Sequence, residues 1–206
     1  MIKRNFVYCL LLLVVSCQSP TFKIKGKLPA NKYDGEWVFL VPMEKHTVAD
    51  VDSTIIKNGE FSFSGTVERI AIIRTRPQIR LELQELLVVT EPGNINVYLA
   101  QNSTSSGTQQ NDALQRWKTQ KENTYLSWNS INKEHKTALR PDSLIYKQKL
   151  DSLKKVSQAF NYKLLKELGN NTLGKFIYQN TISSLEENMQ AEIDSIFTKA
   201  NDEIIK

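Results

Sequence analysis

Ser152 and Lys155 stand three residues apart. At that spacing a lysine one helical turn away can take the proton of a serine nucleophile, as in penicillin-binding proteins. The supporting Ser-Asp-Asn and Lys-Thr-Gly motifs are absent, and Ser152 falls inside an amphipathic pattern rather than at a helix start. His46 and His135 are the two histidines. Either would act as a base only with an orienting acid and a nucleophile beside it, and no Gly-x-Ser-x-Gly elbow occurs. Glu82 with Glu85, or Glu186 with Glu187, could serve acid–base chemistry on a glycosidic bond if held about 5–9 Å apart. Their spacing does not distinguish them from solvated charges. No phosphate loop or dinucleotide fingerprint occurs, and two cysteines exclude a four-cysteine zinc site. A non-catalytic protein with no cofactor and no metal is expected.

The cysteines speak instead of location. Lys3 and Arg4 precede an uncharged run from Phe6 to Val15, and Ser16 stands before Cys17. That is the layout of a secretory signal over residues 1–16. The run is too short for a transmembrane helix, which needs roughly 20 apolar residues. Val14-Val15-Ser16-Cys17 resembles the bacterial lipobox, in which the cysteine is acylated and becomes the new amino terminus. Two or more acyl chains give the stable anchoring that one cannot. Cleavage would remove Cys9 and block Cys17, leaving no thiol chemistry. It would also lower Lys plus Arg from 27 to 25 against 22 acids, a net charge of +3. So small an excess does not point to nucleic acid.

Other residues are candidates for surface chemistry. Lys23, Lys25 and Lys27 alternate on one strand face, and Arg74, Arg76 and Arg80 are expected to do the same. Each stripe could face anionic head groups, or could simply keep a strand soluble. Ser53, Ser143, Ser152 and Ser195 each follow Asp and precede Thr, Leu or Ile. These triplets resemble the O-glycosylation acceptors of Bacteroidota secreted proteins, although Asp-Ser is also helix-cap chemistry. Trp117 and Trp128 are eleven residues apart, close to three helical turns, with Tyr125 at the edge of their face. Packing against a sheet is expected of them; a platform for sugar rings is the alternative.

These residues need elements to hold them. After a tether at 17–20, residues 21–101 carry β-type patterns: Phe22 to Leu28, Trp37 to Val41, Val51 to Ile56, Phe61 to Val67, Ile70 to Arg74, Ile79 to Leu83, Leu86 to Thr90 and Ile95 to Leu99. Asn58-Gly59 signals a tight hairpin turn, and Glu91-Pro92-Gly93-Asn94 a second turn. Residues 102–110 are Ser/Thr/Gly/Gln-rich and are expected to be a linker. From 111 to 206 the period becomes helical. Pro141 ends the first helix, Asp142 or Ser143 caps the second, and Gly169-Asn170-Asn171 stops it; two more follow at Leu173 to Ile182 and Ala191 to Ile205. The fold class expected is α+β by segregation: an antiparallel β-sandwich or flattened barrel of seven or eight strands, then about four helices.

Several short stretches, in this order, carry a family resemblance: Phe22-Lys23-Ile24-Lys25-Gly26, Val51-Asp52-Ser53, Asn58-Gly59-Glu60-Phe61-Ser62-Phe63-Ser64-Gly65, Glu91-Pro92-Gly93-Asn94-Ile95, Ser106-Gly107-Thr108 with Asn111-Asp112-Ala113-Leu114, and Asn171-Thr172-Leu173-Gly174. Together they resemble the amino-terminal domain of unknown function that precedes thioredoxin-like domains in Bacteroidota envelope lipoproteins. The resemblance implies an envelope location and a sandwich-plus-helices architecture. The sequence reaches Lys206, about where that thioredoxin domain would begin, and contains no Cys-x-x-Cys pair, so disulfide exchange is not implied. The function expected is that of a lipid-anchored envelope module, periplasmic or surface-facing. It would contact the membrane through Cys17 and bind an envelope protein or glycan. The alternative is an accessory to a separate thioredoxin-like oxidoreductase.

Overall fold

The computed structural model describes residues 20–44, 47–140 and 142–204, the last six of these by backbone alone. The signal-like segment 1–16, Cys17, most of the tether, His46 and Pro141 lie outside the described residues. Eight strands come first: β1 (Phe22–Lys27), β2 (Trp37–Pro42), β3 (Asp52–Ile55), β4 (Glu60–Gly65), β5 (Ile70–Thr75), β6 (Leu86–Val89), β7 (Gly93–Tyr98) and β8 (Thr104–Ser106). Four helices follow: α1 (Gln109–Thr137), α2 (Ser143–Leu168), α3 (Thr172–Thr181) and α4 (Glu187–Ile204). The segregated α+β layout is the one expected.

The strands form two four-stranded sheets, ordered β4-β1-β7-β8 and β3-β2-β5-β6. Alternation places Phe22 and Ile24 inside and Lys23, Lys25 and Lys27 outside on β1. Ile24, Leu40, Ile73, Val88 and Ile95 fill the space between the sheets with almost no exposure. Each such side chain contributes about 1.5–3 kcal/mol by leaving water. Gly26 lies under the ring of its cross-strand partner Phe61, where a Cβ would come within 2.0 Å of the ring.

Four expectations are corrected. First, the sheets are not purely antiparallel, because β1 pairs with β7 in parallel, Phe22 beside Gly93 through Lys27 beside Tyr98. Second, Asn58 and Gly59 have the positive φ values of the expected turn, 54° and 69°. The strands they join nevertheless pair only at Lys57 and Glu60 and then part, β3 to β2 and β4 to β1. Third, Ile79–Leu83 is no strand: Pro77 lacks the N–H a ladder needs and opens a 3-10 turn at Pro77–Ile79. Arg74, Arg76 and Arg80 therefore do not share a strand face. Fourth, the expected linker 102–110 holds β8 and the first two residues of α1.

The caps are those foreseen. Asp142 accepts the backbone N–H groups of Leu144 and Ile145 at the start of α2, and Gly169 ends that helix with φ 58°. A second core joins Ile70 and Val89 of the sandwich to Ala113, Leu114 and Trp117 of α1, Leu164, Leu165 and Leu168 of α2, and apolar residues of α3 and α4.

Candidate functional site

β6 and β8 are the edge strands of the two sheets on one side of the sandwich. An open edge leaves backbone N–H and C=O groups unanswered, and the root of α1 answers them with side chains. Asn111, wholly buried, takes the Val89 N–H (3.0 Å) and gives its own N–H to the Val89 carbonyl (2.8 Å), standing in for a neighbouring strand. One turn on, the Gln115 carbonyl accepts the Ser105 N–H at 3.1 Å. Near the next turn, Lys118 reaches Asn102 and Gln84 (2.8 and 3.0 Å) and the Ser103 carbonyl.

The start of α1 is pinned as firmly. The Glu91 carboxylate accepts the backbone N–H groups of Gln110 and Asn111, a favourable place for an anion at a helix N-terminus. Gln110 donates to Glu68, and its carbonyl accepts the Leu173 N–H at the start of α3. Thr172 donates to the same Glu68 carboxylate. Arg116 makes a two-point pair with Glu167 of α2, which holds the Glu167 carboxyl below the usual carboxylate range. Sandwich, α1, α2 and α3 are thus joined at one junction.

This register fixes the direction of α1. Its cap Thr108 lies against Gly93, and Gly93 donates to the Thr21 carbonyl at the point where the chain enters β1. The helix then runs alongside the sandwich to Lys118, level with the far ends of β7 and β8. Its 19 further residues carry it about 28 Å beyond that level, and α2 returns beside it. Chain entry and the tip of this two-helix arm therefore lie at opposite ends of the molecule.

The arm leaves apolar surface uncovered. Trp117 is buried at 6% exposure against Phe176, whereas Trp128 is 48% exposed. The expectation of packing thus holds for Trp117, which meets Phe176 of α3 in the core shared with Ile70 and Val89 of the sheet, and is corrected for Trp128. The helix outruns the sheet before residue 128 is reached. Trp128 stacks instead on exposed Tyr125, ring centroids 6.4 Å apart. The two rings border a groove of about 510 Å³ whose other wall includes Leu150, Leu153 and Lys154 of α2. Leu126, Leu144, Ile145 and Val156 are also exposed. Residues 121–156 hold eight Lys and Arg against four Asp and Glu, net +4, while the rest of the chain from residue 20 sums to −1. Lys149 pairs with Glu134 at 2.6 Å.

The other candidate residues are dispersed. Lys23, Lys25 and Lys27 line the outer face of a central strand, and Lys27 pairs with Glu60. The arginines are engaged by carboxylates: Arg74 and Arg80 converge on Glu85, and Arg76 chelates Glu36. Glu82, paired with Lys32 and Tyr33, has its carboxyl lowered by those hydrogen bonds. His135 stacks on Tyr146 across the arm, centroids 4.2 Å apart. Ser53, Ser143 and Ser152 are exposed, whereas the half-buried Ser195 hydroxyl donates to the Glu192 carbonyl. Among the described residues no cluster of three or more His, Cys, Asp or Glu is placed to hold a metal ion. No described helix is long and apolar enough to cross a membrane.

Residues 22–114 match the family model described as a domain of unknown function (DUF4369). The match is consistent with the expected amino-terminal domain of unknown function. The DUF4369 match takes in all eight strands and stops inside the root of α1, just past Asn111, so the edge-covering amide belongs to it and the arm does not. No curated protein and no solved structure matches the chain.

Proposed function

We propose that this protein is a non-catalytic binding module of the cell envelope, tethered by acyl groups on Cys17, and that the arm is its partner-facing surface. The observation that carries this reading is the placement of chain entry and arm tip at opposite ends. A tether at one end presents the uncovered aromatic and aliphatic side chains at the other, away from the membrane. Exposed Trp and Tyr ringed by cations are anchors for a protein partner. The net charge of +4 selects an acidic surface and disfavours pairing of two arms. The outward row Lys23, Lys25 and Lys27, close to the tether, faces anionic head groups, where each cation is worth about 1 kcal/mol. Exposed Ser53, Ser143 and Ser152 are the accessible glycan acceptors, and Ser195 is the least accessible of the four.

The test is a photo-crosslinking residue placed at Leu126 in the full chain, in intact envelopes, with mass spectrometry of the adduct and of the bait. The reading expects one acidic envelope protein crosslinked from Leu126 but not from a control position at Ser53. Lys133→Glu with Lys136→Glu should abolish that adduct. Equal crosslinking from both positions would remove the arm from the reading, and an unacylated Cys17 would remove the tether. An adduct bearing a Cys-x-x-Cys pair would make the module an accessory of thiol–disulfide exchange.

A further inference from the structure

Two nearly buried side-chain donors beside the root of α1 have no hydrogen-bond partner: the indole N–H of Trp117 and the hydroxyl of Ser105. The two residues are 6% and 2% exposed. Native proteins rarely leave such groups unanswered, and those left over want an explanation. Both residues border the same groove, about 270 Å³, between α1 and the edges of β6 and β8. Its walls include Leu86, Leu87 and Leu114; the charged residues Glu85, Lys118 and Glu122 also line it, Glu85 paired with Arg74 and Arg80, and Lys118 paired with Glu122. At its rim Lys121 stands 4.3 Å over the Trp117 ring, and no carboxylate pairs with it among the described residues.

The backbone adds to this. Val89 turns its N–H and C=O away from β5 to meet Asn111. Antiparallel pairing alternates, so Leu87, two residues earlier and opposite Ile72, turns its own pair the same way. No side chain of α1 hydrogen-bonds to Leu87 among the described residues. The groove therefore combines an apolar wall, a Leu87 backbone pair that no side chain of α1 meets, and one cation, Lys121, with which no carboxylate pairs among the described residues.

We infer that this groove binds a small amphiphilic anion: an apolar body lying against Leu86, Leu87 and Leu114, with a carboxylate directed to Lys121. The volume is at the small end for ligand sites and suits a short acyl chain or one aromatic ring. The indole N–H and the Ser105 hydroxyl lie just behind the groove wall, with almost no surface of their own. The site shares Lys121 with the arm groove but has its own apolar wall, and it stands whether or not the arm docks a protein.

Octanoate is the probe and octanol its uncharged control. In the full chain carrying Trp37→Phe and Trp128→Phe, Trp117 is the one remaining indole, and its fluorescence reports the groove directly. Octanoate should give a saturable change, with octanol about tenfold weaker. Lys121→Met, at an exposed position, should bring octanoate down to the level of octanol and leave octanol unchanged. Leu87→Phe, which fills the groove, should abolish both responses while the thermal melt persists, and it corrects for partition into detergent. Equal affinities for octanoate and octanol would overturn the anion assignment. A response that survives Leu87→Phe, or no response at all, would overturn the site.

Discussion

Five of the first nine residues of α1 are buried, and none of the following twenty is. The two stretches belong to one uninterrupted helix, so secondary structure does not account for the difference. The root carries Asn111 and Gln115, with Lys118 just past it, on the side that meets two sheet edges, and directs Leu114 and Trp117 into a core. The arm carries an aromatic and aliphatic face with only α2 beside it. A helix face buries what lies opposite it, and periodicity alone does not say whether anything does. The pattern from Tyr146 to Leu168 teaches the same lesson. It is regular throughout, yet Leu164, Leu165 and Leu168 are buried while Val156 is exposed.

That contrast can be broken by mutation. The largest effects are expected at the root: Leu165→Ala leaves a cavity in the second core and should cost about 2–5 kcal/mol of unfolding free energy. Asn111→Ala strands a buried N–H and C=O of Val89 and should cost about 2–3 kcal/mol. Both are measured as a lowered urea midpoint. Trp128→Ala and Leu126→Ala in the arm should stay within about 0.5 kcal/mol of the parent. A loss as large as at the root would mean that the arm is packed in solution. In hydrogen exchange, amides of residues 124–156 should open at lower free energy than those of residues 110–117 and 164–168. Equal protection would abolish the distinction.

The smallest effect is one of pH. Arg116 holds the Glu167 carboxyl below its ordinary value in the folded protein. The pair's contribution is therefore full above the unfolded carboxylate pKa of about 4.3 and is lost as pH falls through the lower folded value. Both groups are partly exposed, which keeps the contribution under about 1 kcal/mol. Glu167→Gln should flatten that acid limb of the stability curve, measured by urea melts between neutral and acid pH. An unchanged limb would assign it to other carboxylates.

Much of the fold was legible because local rules governed it. Alternation marked β1 and β4, Asn58-Gly59 marked a turn, and Asp142 and Gly169 bounded α2. Which sheet each strand joins was not legible, because turn chemistry fixes a reversal but not the partner beyond it. β8 has no apolar pattern to mark it, because it is three polar residues whose Ser105 is buried beside α1. Of the candidate site, the aromatics were visible but their exposure was not, since it depends on where the sheet ends. The amides of Asn111 and Gln115, four residues apart at a helix start, are the sequence signal of this edge cover. The short motifs behind the family resemblance have a physical meaning here: those containing Glu91, Asn111 and Thr172-Leu173 are the hydrogen-bonding partners of the junction.

The parallel pairing of β1 with β7 has a consequence for how the chain comes to be folded. A chain synthesised amino end first delivers β1 early, while its two neighbours arrive later, β4 about 40 residues on and the parallel β7 about 70. Until then Phe22 and Ile24 wait exposed in a segment of high β propensity, the state in which unfinished sheets find the wrong neighbour. Lys23, Lys25 and Lys27, alternating with them, put a charge on every second position of that waiting strand. The same row that faces outward in the finished sandwich thus guards the nascent one against edge-to-edge aggregation.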